Sequence, residues 1–118
     1  MRYVQVVNTT TGETLAERAE LAETFLTRFL GLQGRKALPE GAGLVLAPTS
    51  SIHMFFMRFA IDVVFIDASL RVTRIGRRLR PWTIGPFAPG AVYCIELPAG
   101  RADATQTGHV LALRPASE

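Results

Sequence analysis

The stretch SIHMFFMRFAIDVVFID, residues 51–67, is apolar enough to be buried, yet it contains His53, Arg58 and Asp62. Its aromatic and β-branched residues favour strands, with a bend near Phe59. Side chains alternate between the two faces of a strand, and both faces of this stretch are largely apolar. The stretch therefore predicts strands that are covered on both sides, and it raises the question of why they contain three groups that are costly to bury.

Short apolar segments separated by turn residues occur along the rest of the chain. RYVQVVN, residues 2–8, is followed by the turn NTTTG and predicts a hairpin whose second strand lies near residues 14–19. Further strands are predicted for LVLAP, RVTRIGRRLR, AVYCIELP and HVLALRP. The three prolines of PWTIGPFAPG exclude a central strand there, because proline donates no ladder hydrogen bond.

One segment has helical rather than strand periodicity. Phe25, Leu26, Phe29 and Leu30 form an apolar stripe at helical spacing, which predicts one short helix near residues 21–30. Together these elements indicate a mainly β protein. We expect a compact single-domain β-sandwich or barrel-like fold with one short helix, formed by residues 1–118.

Length, composition and cysteine content restrict the classes of protein and site. A chain of 118 residues with 48% hydrophobic content can form a core without staples. Its one cysteine, Cys94, excludes an intramolecular disulfide and a zinc site built on several thiolates, and we expect no metal or other cofactor. MRYVQVVN lacks the continuous apolar region of a signal peptide, and no stretch is long enough to span a membrane, so we expect a cytoplasmic protein.

Arg58 and Asp62 fall on the same face of a regular strand. Along a straight strand they are about 13 Å apart, so a direct salt bridge requires a bend. The favoured interpretation is structural, as a buried ion pair or as caps for loop backbone. The alternative is a pocket in which Arg58 binds an anionic group of a ligand.

His53 and Cys94 are the groups most often used for nucleophilic or metal chemistry. His53 is expected to line the core or a pocket and to hydrogen-bond through its ring. The alternatives are a general base, or a soft-metal ligand beside Met57 and Cys94. Cys94 lies in a strand pattern, where a lone cysteine is usually a buried small hydrophobe.

Glu96 is a carboxylate inside the apolar strand VYCIELP. Such a group requires a cation nearby, and the candidates are Arg28, Arg35 and Arg58.

The segment RVTRIGRRLR, residues 71–80, contains five arginines. We favour an edge strand that is kept soluble by charge over a phosphate-binding patch, because no nucleic-acid motif accompanies the arginines. Nucleic acid is therefore not an expected partner. Common enzyme motifs such as HExxH, the P-loop, GxGxxG and GxSxG are absent from the sequence.

Five motifs occur in a fixed order: TRFLGLQGR at 27–35, LPEGAGLVLAP at 38–48, IHMFFMRFAIDVVFID at 52–67, LRPW at 79–82 and CIELPAG at 94–100. In this combination the chain resembles DUF192, also called UPF0127, a family of uncharacterised small bacterial and archaeal proteins. The resemblance implies a small, mostly β, sandwich-like domain with one short helix and no established activity. The positions that match the family pattern include Arg28, Arg35, His53, Asp62 and Glu96.

Three functional hypotheses follow. The first is a non-catalytic protein that binds a small ligand or a protein partner through a polar cluster on the β core. The cluster would consist of Arg28, Arg35, His53, Arg58, Asp62 and Glu96. Its basic excess is compatible with a small anionic or carboxylate-bearing ligand, and a protein partner is the alternative.

The second hypothesis is a hydrolase or transferase that uses His53 as acid/base, which requires an accessible cleft and a second titratable group. The third is a scaffold or secretion-accessory protein that acts by surface contacts. An exposed apolar patch around Trp82, Ile84 and Phe87 would favour this third hypothesis.

Overall fold

The computed structural model describes residues 2–24, 32–54 and 56–116. Within these ranges the regular secondary structure consists of β-strands, which confirms the mainly β prediction. The strands are β1 (Tyr3–Asn8), β2 (Glu13–Ala22), β3 (Ala42–Leu46), β4 (Ser51–His53), β5 (Ile61–Ile66), β6 (Val72–Leu79), β7 (Ile84–Phe87), β8 (Tyr93–Pro98) and β9 (Leu111–Pro115).

Seven of the strands form one large sheet in the order β6-β5-β8-β3-β2-β1-β9. Neighbours are antiparallel except for β2 and β3, which are parallel. The predicted N-terminal hairpin is confirmed, with Asn8 of β1 opposite Glu13 of β2. Asn8 Oδ1 accepts hydrogen bonds from the backbone N–H groups of Thr10 and Thr11, which fix the turn between the two strands.

The two edge strands of the large sheet approach each other. An antiparallel bridge joins Arg71, just before β6, to Val110, just before β9. The backbone N–H of Val72 donates to the carbonyl oxygen of His109 at 2.8 Å. The sheet is therefore curled into a partly closed barrel, which confirms the barrel-like prediction.

The inner face of the curled sheet holds the first hydrophobic core. Every strand of the large sheet contributes a buried side chain to it: Val6, Leu15, Val45, Val64, Val72, Ile95 and Leu111. The outer face of β3, β5 and β8 holds a second core, which includes Leu44, Leu46, Val63, Phe65 and Cys94. Because β5 contributes to both cores, all six of its residues are buried, as its two apolar faces predicted.

The small sheet of β4 and β7 lies over the second core. Ile52 of β4 packs against that core together with the buried residues Met54 and Met57. Gly85 of β7 lies so close to β4 that a Cβ atom there would come within 2.6 Å of Ile52 Cγ1. A glycine is therefore required at position 85 for the two strands to pair at this distance. β7 contains Pro86 and pairs with β4 alone, in agreement with the prediction that this segment is not a central strand.

Two predicted elements need correction. β2 continues to Ala22 because its second half pairs in parallel with β3, so Leu21 and Ala22 belong to a strand and not to the predicted helix. Glu23 and Thr24 are not helical either, and residues 25–30 of the predicted helix lie outside the described residues. The strand predicted for residues 52–57 ends at His53, because Phe56 adopts a left-handed φ of 63° that no strand accommodates.

Candidate functional site

Asp62 is fully buried on β5 and is satisfied by backbone. It accepts hydrogen bonds from the N–H groups of Arg78 at 2.8 Å, Gly100 at 3.0 Å and Ala102 at 2.8 Å. Several N–H donors can stabilise a buried carboxylate without a cationic partner. Asp62 therefore fixes the connection after β8 to the edge strand β6, which is the backbone-capping interpretation made from the sequence.

His53 and Arg58 do not share the buried environment of Asp62. Both side chains are exposed, and His53 ends β4 opposite Ile84 of β7. Among the described residues, neither Arg58 nor Asp62 forms an ion pair. The same part of the chain contains no group of three or more His, Cys, Asp or Glu side chains placed to hold a metal ion.

Glu96 is the one predicted site residue with a buried and incompletely bonded carboxyl group. It lies on β8 between Leu44 of β3 and Val63 of β5 and is 5% exposed. Its Oε1 atom has no hydrogen-bond partner among the described residues. Burial raises the pKa of Glu96 to about 7, and the nearby charge of Arg35 opposes this shift.

Arg35 is held by another carboxylate. Its Nη2 atom donates to Glu20 Oε2 at 3.0 Å. Both side chains line a cleft of about 520 Å³ together with Arg18, Glu17 and Glu40. Three carboxylates and two guanidinium groups therefore share this cleft, which does not favour an anionic ligand.

The predicted polar residues do not form one cluster. In the register of β5 and β8, Glu96 is opposite Val63, whereas Asp62 is opposite Leu97. Asp62 and Glu96 consequently point to opposite faces of the sheet. Arg28 lies outside the described residues.

Cys94 shares the outer face with Glu96 and is fully buried. Burial raises the pKa of the Cys94 thiol well above its usual range, and the neighbouring charge of Glu96 raises it further. A thiol in this environment is a poor nucleophile, in agreement with the prediction of a buried small hydrophobe.

Four of the five arginines at residues 71–80 make structural contacts. Their guanidinium groups contact backbone carbonyls or a carboxylate: Arg71 binds Gly108, Arg74 binds Phe87, Arg77 binds Ala102 and Thr105, and Arg78 pairs with Asp103. These contacts hold the 99–109 connection and β7 against the edge strand.

The most distinctive feature of the protein is a set of exposed apolar side chains, of which three were named from the sequence. The exposed large apolar side chains of the described residues are Phe56 (59% exposed), Trp82 (61%), Ile84 (80%) and Phe87 (58%). We call these four residues the apolar platform. Phe56 was expected in a buried strand, and nothing in the local sequence signals that the chain turns there.

Two hydrogen-bonded turns place the aromatic rings of Phe56 and Trp82 side by side. The ring centroids are 4.9 Å apart with an interplanar angle of 61°, an edge-to-face arrangement. The backbone N–H of Trp82 donates to the carbonyl oxygen of Met54 at 2.7 Å, and the N–H of Met54 donates to Thr83 at 2.7 Å. Both aromatic residues have left-handed backbones, with φ of 63° and 65°, which is uncommon for bulky side chains.

An irregularity in the small sheet brings Ile84 and Phe87 to one face. In a regular strand residues 84 and 87 would point to opposite faces. Here His53 is opposite Ile84 and Ser51 is opposite Phe87, so two steps along β4 match three steps along β7. This register shift has the geometry of a β-bulge, and it adds Ile84 and Phe87 to the same exposed face as Ser51 and His53.

The chain is similar in sequence to one family of proteins. The profile of the DUF192 family, described as "Uncharacterized ACR", matches residues 6–112, and the chain belongs to this family. A UPF0127 protein from Thermococcus sibiricus is 37% identical over 102 residues, which cover 83% of this chain. The match spans 66% of that relative, slightly under two thirds of its length.

Two solved structures share the fold at low sequence identity. A protein of unknown function from Novosphingobium aromaticivorans has a TM-score of 0.81 and 23% identity, covering 93% of this chain and 83% of its own. A Sinorhizobium meliloti protein named as a "putative transcription regulator" also has a TM-score of 0.81, with 20% identity, covering 95% of this chain and 92% of its own. Across the described ranges the chain forms no helix with the length and apolar character needed to cross a membrane.

Proposed function

We propose that residues 1–118 form a single non-catalytic domain that binds a protein partner through the apolar platform. The observation that carries this proposal is the exposure of four large apolar side chains on adjoining segments, where Phe56 contacts Trp82 and Ile84 follows Trp82 by two residues. Exposed apolar patches of this kind mark interaction sites, and Trp is enriched among the residues that dominate interface energetics. The platform corresponds to the surface-contact hypothesis, which named Trp82, Ile84 and Phe87.

The rigidity of the platform supports binding. Met54 is fully buried, and its backbone N–H and C=O groups bond to Thr83 and Trp82 respectively. The two turns that carry the aromatic rings are therefore anchored to the second core. A surface that is already ordered loses less conformational entropy when a partner binds, so more of the contact energy appears as affinity.

The left-handed backbones at Phe56 and Trp82 support the same conclusion. Each such position costs about 1–3 kcal/mol for a non-glycine residue and persists only where its surroundings enforce it. Strained positions concentrate at ligand clamps and other functional sites. Here the strain orients two aromatic side chains toward solvent, where they add little to the stability of the isolated domain.

The other hypotheses have less support. His53 is exposed at the end of β4 opposite Ile84, and this exposure is the only observation that supports the acid/base hypothesis. The cleft beside Arg35 carries more carboxylates than guanidinium groups. A role in transcription, as in the name of the Sinorhizobium meliloti protein, has less support because four of the five arginines at residues 71–80 are engaged in structural contacts.

A pair of capture experiments tests the proposal. The wild-type protein and the variant Ile84→Ser are immobilised and exposed to lysate of the producing organism, with Arg114→Ser on the edge strand β9 as the control. A protein captured by wild type and control but not by Ile84→Ser is identified, purified and titrated directly. We expect its affinity for Ile84→Ser to be at least about tenfold weaker. Identical capture and affinity for wild type and Ile84→Ser would refute the proposal.

A further inference from the structure

Basic residues lie close to the apolar platform along the chain. Arg58 and Arg80 are exposed, and each lies two residues away from an aromatic residue of the platform. Arg74 donates from Nη1 to the carbonyl oxygen of Phe87 at 3.1 Å, which fixes its guanidinium group at the other end. We call Arg58, Arg74 and Arg80 the basic rim.

Acidic side chains are missing from the same segments. Residues 50–60 and 70–92, which contain the platform and the rim, include neither Asp nor Glu. The rim is therefore not neutralised by carboxylates from its own segments. A positive border around an apolar centre favours a partner surface with the opposite charge pattern.

The shape of the platform indicates what kind of surface fits it. Ile84 and Phe87 occupy one exposed face of the small sheet, and residues three apart along a strand are separated by about 10 Å. An extended segment lying along this face can therefore place apolar side chains on both ends of the platform. Charged side chains that flank those contacts would reach the rim.

We infer that the apolar platform binds an acidic, extended peptide segment of a partner protein, with apolar side chains at its centre and carboxylates at its flanks. This inference rests on the proposed function and specifies the chemistry of the partner. A membrane with anionic headgroups would match the charge of the rim. The sheet face and its bulge match an extended segment better, because they provide a linear row of contact points.

A peptide-display selection tests the inference directly. A random library of peptides of about 12 residues is selected on the wild-type protein and counter-selected on Ile84→Ser. We expect enriched peptides to combine apolar residues with an excess of Asp and Glu. Enrichment of neutral or basic apolar peptides would overturn the inference while leaving the proposed function intact. No enrichment beyond the Ile84→Ser background would also overturn the inference, and the capture experiment then decides the proposed function separately.

The charge contribution is measured on an enriched peptide. Trp82 is the only tryptophan of the chain, so its fluorescence reports binding at the platform. Exposed charge pairs change affinity by about two- to fivefold each, so the double variant Arg58→Glu/Arg80→Glu should bind about tenfold more weakly. The control Arg114→Glu makes the same kind of charge change on β9 and should leave the affinity unchanged.

A vesicle titration distinguishes an acidic peptide segment from an anionic membrane as the ligand of the platform. Phosphatidylglycerol vesicles are titrated into the wild-type protein under the same conditions as the peptide. The inference is supported if the protein binds the peptide and if both the rim variant and high salt weaken this binding. Binding of vesicles by a platform that selects no peptide would overturn it in favour of a membrane surface.

Discussion

Replacing Glu96 with glutamine should make the stability of the domain less dependent on pH. Burial raises the pKa of Glu96 from 4.5 to about 7. Below pH 4.5 the carboxyl group is protonated in both the folded and the unfolded chain. Between 4.5 and about 7 it ionises in the unfolded chain but stays protonated in the folded domain, so the free energy of unfolding falls as pH rises. Glutamine does not ionise and avoids this loss.

The size of the effect follows from the same two pKa values. The interval from 4.5 to about 7 corresponds, at about 1.4 kcal/mol per pH unit, to a loss of about 3 kcal/mol that is complete above pH 7. The variant should therefore gain about 3 kcal/mol relative to wild type between acidic and mildly alkaline pH. Any cost of burying the amide is independent of pH and adds only a constant offset.

Urea unfolding at constant ionic strength measures this difference. Free energies of unfolding are determined for wild type and Glu96→Gln at several pH values from about 4 to about 8. The exposed residue Glu40 provides the control variant Glu40→Gln, which should follow the wild-type curve. A difference between Glu96→Gln and wild type that is flat with pH, or that grows toward acid, would refute the reasoning. The charge of Arg35 favours the ionised form of Glu96. In the variant Arg35→Gln, the free energy of unfolding should therefore continue to decrease up to a higher pH than in wild type.

Two further predictions concern buried groups. Asp62→Ala leaves three backbone N–H groups without their acceptor and should lower the free energy of unfolding by about 3–5 kcal/mol. Asp103→Ala, which removes only an exposed ion pair, should lower it by less than about 1 kcal/mol, and equal losses in urea unfolding would contradict the assignment. The Cys94 thiol, whose pKa is raised by burial, should react with a disulfide reagent only as fast as the domain opens. Reaction at the rate of a free thiol in the absence of urea would show that the residue is accessible.

The strands were predictable where periodicity and turn residues agree. The N-terminal hairpin, β5 and β8 all follow directly from apolar patterns bounded by turn signals. The extension of β2 to Ala22 was not predictable, because it depends on pairing with β3 some twenty residues later in the chain. Local periodicity favoured a helix from residue 21, and a distant partner strand determined the conformation instead.

The site was harder to predict than the fold. The sequence identified Asp62 and Glu96 as unusual buried carboxylates, but the register of β5 and β8 decides that they point in opposite directions. The sequence also predicted that Phe56 lies in a buried strand. A glycine or asparagine would have indicated a left-handed turn at this position, but a phenylalanine does not. For Trp82, Ile84 and Phe87 the sequence supported only the statement that an exposed patch there would favour a surface-contact role, and the prolines of the segment excluded a central strand.

The position of β1 in the large sheet has a consequence for biosynthesis. β1 lies between β2, its immediate successor in the chain, and β9, the last strand of the domain, with Val4 paired to Pro115. During translation the N-terminal hairpin can form early, but one side of β1 stays unpaired until β9 leaves the ribosome. Contacts of this sequence separation slow folding and leave an open edge that can capture other nascent chains. The large sheet is thus complete only when β9 pairs with β1, so the hairpin made first depends on the strand made last among β1 to β9.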